Sequence, residues 1–143
     1  MKKSRNSGYL NQKDYNFIYS KSVRLCVDLL ILSKDGVYMT KRTTKPYKNL
    51  YHIPGGRIRF RETINDAIFR IANEEKLENI KIGKFVGVIE FLKETQDKQK
   101  RHSVSLVYII KAKTPHQTFI KEIKKMNPPQ FEFLKKHKFI NEN

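Results

Sequence analysis

An α/β sandwich with a mixed β-sheet is the fold class this sequence predicts, and three observations predict it. Apolar, strand-like runs lie both before and after one internal helix. That helix carries its apolar residues on a single face, and a second apolar periodicity near the C-terminus supplies a helix for the other side of the sheet.

The elements follow in chain order. Residues 1–8 are basic and polar and are expected to be disordered. Residues 9–143 are expected to form a single domain, because a chain of 143 residues supports one core and is too short for two. Tyr15, Ile18 and Tyr19 fall at helical spacing, which predicts a short helix or arm over 9–20. Residues 23–32 alternate and then become continuously apolar, as a strand buried on both faces does. Lys34-Asp35-Gly36 is a hairpin turn, with 37–41 as the return strand. A loop over 45–49 leads to a short strand over 50–53. From Glu62 onward, Ile64, Ala67, Ile68 and Ile71 recur at i, i+3, i+4 and i+7, one face of a helix. Strands follow over 80–93 and 104–112, joined by a charged loop over 94–101. After Pro115, the spacing of Phe119, Ile120, Ile123 and Met126 predicts a helix over 117–126, ended by Pro128-Pro129.

Composition narrows the partners. No apolar run reaches the length of a membrane span, and the N-terminus lacks an apolar core with a small-residue cleavage site, so a soluble, cytoplasmic chain is expected. Cys26 is the only cysteine, which excludes an intramolecular disulfide and a cysteine-based zinc site. The formal net charge of +16 asks for anionic partners. The cations are dispersed over Lys2, Lys3 and Arg5, the 93–101 stretch and Lys121, Lys124, Lys125, Lys135, Lys136 and Lys138, with no interleaved aromatic motif. Such a pattern predicts weak, non-specific nucleic-acid binding at most.

The chemistry concentrates in the segment from Pro54 to Glu75. Pro54-Gly55-Gly56 is a tight turn in which a backbone carbonyl can approach a cation unobstructed. On the helix beyond it, Arg70 and Glu74 are one turn apart and can pair, and Glu75 lies one turn past Ile71. Two adjacent carboxylates are hard oxygen ligands of the kind Mg²⁺ takes. The segment reads as a loop–helix cassette that holds a divalent metal against a diphosphate.

Gly56, Glu62, Arg70, Glu74 and Glu75 resemble the Nudix box in register. That box runs Gly, five residues, Glu, seven residues, then Arg-Glu-apolar-any-Glu-Glu-any-Gly-apolar. Two positions depart: Ile71 stands where the box has its Glu after Arg, and Leu77 where it has Gly. The GDP-mannose mannosyl hydrolases lack the same Glu, and the chain resembles them from Tyr9 to Lys113. The similar stretches include Leu10-Asn11-Gln12-Lys13-Asp14-Tyr15, Val27-Asp28-Leu29, Lys41-Arg42-Thr43-Thr44-Lys45-Pro46 and Phe85-Val86-Gly87-Val88.

This resemblance implies a Nudix-type α/β/α sandwich and hydrolysis of a nucleotide sugar, GDP-mannose and water giving GDP and mannose. It implies Mg²⁺ (or Mn²⁺) on Glu75, Glu74 and the Gly55 carbonyl. It places Arg42 and Arg57 on the diphosphate and Asp28 either on the substrate or paired with an arginine. It also implies a loop histidine as general base, for which His116, followed by Gln117, is the first candidate and His102 the second. A homodimer is implied as well. Glu62 reads as a structural partner of Arg70, and His52, in a strand, as a packed histidine. Two other readings stay open: a conventional Nudix pyrophosphohydrolase that splits the P–O–P bridge, and a Nudix-fold module that binds nucleotide or RNA without turnover.

Overall fold

The computed structural model describes residues 8–43, 47–92 and 102–140. Helix α1 (Gln12–Tyr19) precedes strands β1 (Arg24–Leu30), β2 (Leu32–Ser33), β3 (Gly36–Tyr38), β4 (Thr40–Lys41), β5 (Tyr51–His52) and β6 (Gly55–Arg57). Helix α2 (Ile64–Glu74), β7 (Glu78–Phe91), β8 (Ser103–Lys113), β9 (Phe119–Ile120), a 3₁₀ turn (Ile123–Lys125) and α3 (Pro128–Lys136) complete the order.

Four strands form the main sheet in the order β6-β1-β8-β7. It is mixed: β1 runs parallel to β8, while β6 and β7 are antiparallel to their neighbours. Strand β1 explains why both faces need cover. Val27, Leu29 and Ile31 pack with Ala67, Ile68, Ile71 and Ala72 of α2 on one side. Leu30 packs with Phe131, Phe133 and Leu134 of α3 on the other. The period of two along a strand therefore sends successive β1 residues to opposite faces of the sheet, with Val27 and Leu29 toward α2 and Leu30 toward α3. This is the α/β/α sandwich with a mixed sheet that the sequence predicts.

Helix α2 starts where its sequence allows. Thr63 caps it by accepting the backbone N–H of Asp66, and the buried residues are Ala67, Ile68, Ile71 and Ala72, the predicted stripe. Leucine 77, in the box position of a glycine, is buried against this face. Helix α1 is capped by Asn11 yet buries no residue.

One expectation fails. Residues 117–126 do not form a helix; Phe119–Ile120 is a strand paired with Val37 and Tyr38 of β3, and Ile123–Lys125 is a 3₁₀ turn. Helix α3 begins at Pro128-Pro129, the pair expected to end one. A proline at the first turn costs nothing, since its missing N–H would have no helical acceptor there, and its fixed φ suits the helix. Asn127 caps that turn through the N–H of Gln130. The expected strand over 37–41 is likewise split into β3 and β4. The expected disorder of residues 1–7, the charged 94–101 loop and Lys45-Pro46 lie outside the described residues.

Candidate active site

Strand β6 is the seam of the site. Its register on β1 sets Gly55 opposite Asp28, Gly56 opposite Val27 and Arg57 opposite Cys26. Gly56 therefore faces α2: a Cβ there would lie 3.4 Å from Ile71 Cδ1. Gly55 faces the other way, where a Cβ would collide with Asp28 Oδ1 and the Val27 carbonyl, so only glycine fits.

On the α2 side, Arg70 organises the cassette. Its Nε donates to Glu62 Oε2 at 2.7 Å, one terminal nitrogen to Glu62 Oε1 at 3.0 Å and to the Arg57 carbonyl at 2.7 Å, and the other to Glu74 Oε1 at 3.1 Å. Glu62 Oε1 also accepts the backbone N–H of Arg59. Burial pushes the Glu62 carboxyl up, but these donors outweigh it and hold the group below its ordinary range. Glu62 is thus the structural partner the sequence suggests, and it fastens the loop to the helix.

Glu74 is turned to solvent and engaged by Arg70. Glu75 closes α2 and is half-buried; burial first, and then the charge of Glu74, raise its carboxyl above the usual range. It also lies close enough to Tyr38 to help burial raise that phenol. A carboxylate in this state gains from a cation, which makes Glu75 a stronger candidate ligand than the exposed Glu74. Among the described residues, no three His, Cys, Asp or Glu side chains gather into a metal cluster. Glu75, Glu74 and a backbone carbonyl nonetheless fit Mg²⁺, which is usually held by one or two carboxylates with water and substrate phosphate completing the shell.

On the α3 side lies a cavity of about 290 Å³. It brings together three of the expected residues, Asp28, Arg42 and Arg57, with Gly55 and Gly56 at its rim. It adds others that the sequence did not single out for the site: Arg24, Tyr15 and Gln130, together with His52. Glu74, Glu75 and His116 are not part of its lining.

The floor of the cavity is Asp28. It is 5% exposed, and its described partners are Gln130 and Ser105, neither of them an arginine. Gln130 is fixed from both ends: its Oε1 accepts the Ile53 N–H at 2.9 Å, so its Nε2 donates to Asp28 Oδ2 at 3.3 Å. Burial raises the Asp28 carboxyl to about 7, although both hydrogen bonds lower it. His52, with Nε2 3.5 Å from Thr40 Oγ1, is lowered to about 4 by burial and the Arg42 cation. It is neutral at physiological pH, and its Nδ1 is buried without a described partner. Asp28 and His52, both lining the cavity, are thus displaced in opposite directions.

The histidines expected to act as base lie elsewhere. His102 precedes β8, where its carbonyl accepts the Arg24 N–H. His116 is exposed in the link from β8 to β9, a turn in which Thr114 Oγ1 donates to its carbonyl. Register pairs Glu78 with Lys113, so this link lies toward the end of the sheet where α2 finishes.

A glycine-edged strand thus lies between a capped carboxylate helix and an arginine-lined cavity, inside an α/β/α sandwich of the loop–helix class. The chain belongs to the NUDIX domain family, whose model matches residues 23–139. It is 34% identical over 71 residues to the low-salt glycan biosynthesis protein Agl8 of Haloferax volcanii, covering 50% of this chain and 46% of that one. It is 29% identical over 87 residues to an ADP-ribose pyrophosphatase of Methanocaldococcus jannaschii, covering 60% and 49%. The chain spans about half the length of the curated relatives it matches. Among solved structures, a MutT protein from Methanosarcina mazei superposes with a TM-score of 0.64 at 15% identity, over 82% of this chain and 94% of that one. A bifunctional NMN adenylyltransferase/ADP ribose pyrophosphatase from Francisella tularensis, complexed with AMP and a Mn ion, superposes with a TM-score of 0.57 at 19% identity, over 88% and 47%. These structural likenesses concern the fold.

Proposed function

We propose that the chain is a Mg²⁺-dependent Nudix hydrolase of a nucleotide sugar, most like GDP-mannose, which releases GDP and the free sugar. One observation carries this reading. Ile71 packs toward Gly56 in the place of the box carboxylate, while Arg42 and Arg57 line the cavity across the same strand. The apparatus for attack at phosphorus is reduced, whereas the apparatus for holding a departing diphosphate is present.

In this reading the nucleoside diphosphate occupies the cavity and crosses the Gly55-Gly56 seam, so that the sugar lies toward the end of α2. Arg42 and Arg57 match phosphate oxygens with planar guanidinium forks and stabilise the charge that develops as the C–O bond breaks. Glu75, with Glu74 and the Gly55 carbonyl, would hold Mg²⁺, which would supply Lewis-acid stabilisation of that leaving group. Asp28 takes a polar group of the substrate at the cavity floor. Water attacks the anomeric carbon and gives its proton to a histidine, for which His116 is the candidate because it lies toward the end of α2. The name of the Haloferax volcanii relative, a glycan biosynthesis protein, favours a sugar-bearing substrate.

A second reading, cleavage of the P–O–P bridge of a nucleoside diphosphate derivative, is favoured by the likeness to an ADP-ribose pyrophosphatase. Turnover of nucleotide sugars and ADP-ribose in ¹⁸O-water separates the two. Label in the free sugar supports attack at carbon; label in a nucleoside monophosphate or a sugar phosphate overturns it in favour of the second reading. Absence of turnover on any of these substrates leaves a binding module.

A further inference from the structure

We propose that helix α1 is a wall of the anion cavity, and that Tyr15 and Tyr19 are positioning residues, acting through Arg24 and Arg57, for the diphosphate. This rests on the reading of that cavity as the diphosphate site.

Helix α1 buries no side chain and has eight residues, too few to persist alone in water. Its contacts with the body include two arginines that line the cavity. Arg24 donates one terminal nitrogen to the Tyr15 hydroxyl and its Nε to Ser103 Oγ at 2.9 Å, with its guanidinium 6.0 Å from the Tyr15 ring centre. Arg57 donates to the Gly8 carbonyl at 2.7 Å and lies 5.9 Å from the Tyr19 ring centre. The two rings, one helical turn apart, meet edge to face with centres 4.9 Å apart. The result is a continuous run of contacts, Arg24 to Tyr15 to Tyr19 to Arg57.

A guanidinium carries its donors in a fixed fork, so holding one edge sets the direction of the others. The aromatic faces favour the cation without neutralising it, because they carry no formal charge. The cavity lining sets three guanidiniums, Arg24, Arg42 and Arg57, against the single buried carboxylate of Asp28. A polyanion placed between these arginines takes donors from more than one fork, and it favours the arrangement in which the arm holds Arg24 and Arg57. By linkage, the anion tightens the arm by the same factor by which the docked arm tightens the anion. A diphosphate, with more oxygens to place than a monophosphate, gains more from two oriented forks.

The test uses GDP, GMP and inorganic pyrophosphate as probes, with calorimetric titration of the full chain and of the Tyr15→Phe and Tyr19→Leu variants. Tyr15→Phe keeps the ring and removes only the hydroxyl. Each variant is expected to weaken GDP and pyrophosphate by about tenfold and GMP by less than about threefold, the scale of one charged hydrogen bond or one cation–π contact. Melting temperature is expected to stay unchanged, since α1 contributes nothing to the core, and KM to rise more than kcat falls. Amide exchange of residues 8–19 is expected to slow when GDP or pyrophosphate is added. Variants that bind GDP as the parent does, exchange that ignores the ligand, or a parent that binds neither probe overturns the proposal. Hydrolysis of a nucleotide sugar with an arm indifferent to GDP removes this inference and leaves the function standing. Tight, arm-protecting GDP binding without turnover does the reverse.

Discussion

On the α2 face of the sheet the carboxylates of Glu62, Glu74 and Glu75 gather, Arg70 of the same cassette answers two of them, and Arg59 lies 3.9 Å from Glu74. On the α3 face they are arginines gathered around a cavity whose carboxylate is buried. A single strand, β6, separates the two, and its three residues face alternately toward one and the other. Like charges that would repel within one site are divided between two surfaces, one rich in carboxylates and one in arginines. The glycines at the seam let both surfaces come within backbone distance of one another.

The comparison is put most severely to the test at Glu75. If the α2 face holds the metal through this side chain, Glu75→Gln is expected to lower kcat by about 10³ or more, equivalent to roughly 4 kcal/mol, with the melting temperature unchanged. Product release measured against Mg²⁺ concentration checks it, and a folded variant with full turnover removes Glu75 from the site.

The α3 face is probed by pH. The Asp28 carboxyl, raised from 3.8 to about 7, contributes stability that is fully present below 3.8 and is lost as pH rises through 7. The His52 imidazole, lowered from 6.5 to about 4, contributes stability that is present above 6.5 and is lost as pH falls through 4. The two oppose one another across the same window. Asp28→Asn is therefore expected to melt higher than the parent near neutral pH, by on the order of a few kcal/mol of stability, with the gain vanishing toward about pH 4. His52→Gln is expected to tilt the profile the other way. Calorimetric melts over this range check both, and parallel profiles for the two variants would mean that the cavity is wetter than its burial indicates.

A smaller effect is expected at Glu62. Its side chain is 11% exposed and bidentate with Arg70, so Glu62→Gln leaves a guanidinium short of its counter-charge and is expected to cost roughly 1–3 kcal/mol. Urea unfolding checks this. The smallest is Glu74→Gln, where the side chain is 53% exposed and the pair with Arg70 is screened by water. There the loss of stability is expected to stay within about 0.5 kcal/mol. If Glu74→Gln instead matches Glu75→Gln in lost turnover, the two carboxylates act as one ligand set.

The sequence was most readable where its determinants were local. The stripe from Ile64 to Ile71 lies within one helix, so spacing alone reveals it, and the Glu62–Arg70 pair, given by the resemblance, joins residues only eight apart. Arg42, Arg57 and Asp28 were found through resemblance, and the fold brings them to one cavity. Arg24 and Gln130 escaped notice because nothing near them in sequence marks them; Gln130 meets Asp28 across 102 residues of chain. The 117–126 segment was misread because Phe119 and Ile120 suit a helix face as well as a strand, and their pairing with β3 is non-local. The proline pair was read as a stop when Asn127 makes it a start.

The bond from Gln130 to Asp28 also orders events in time. A chain made from its N-terminus completes the carboxylate helix well before the residue that fixes the cavity floor has been added. Until α3 docks, Asp28 has lost one of its donors and Ile53 its acceptor, and the cavity has no far wall. Nascent and partly folded chains can thus display the acidic cassette while lacking the arginine-lined cavity. The cavity is complete only once α3 has docked.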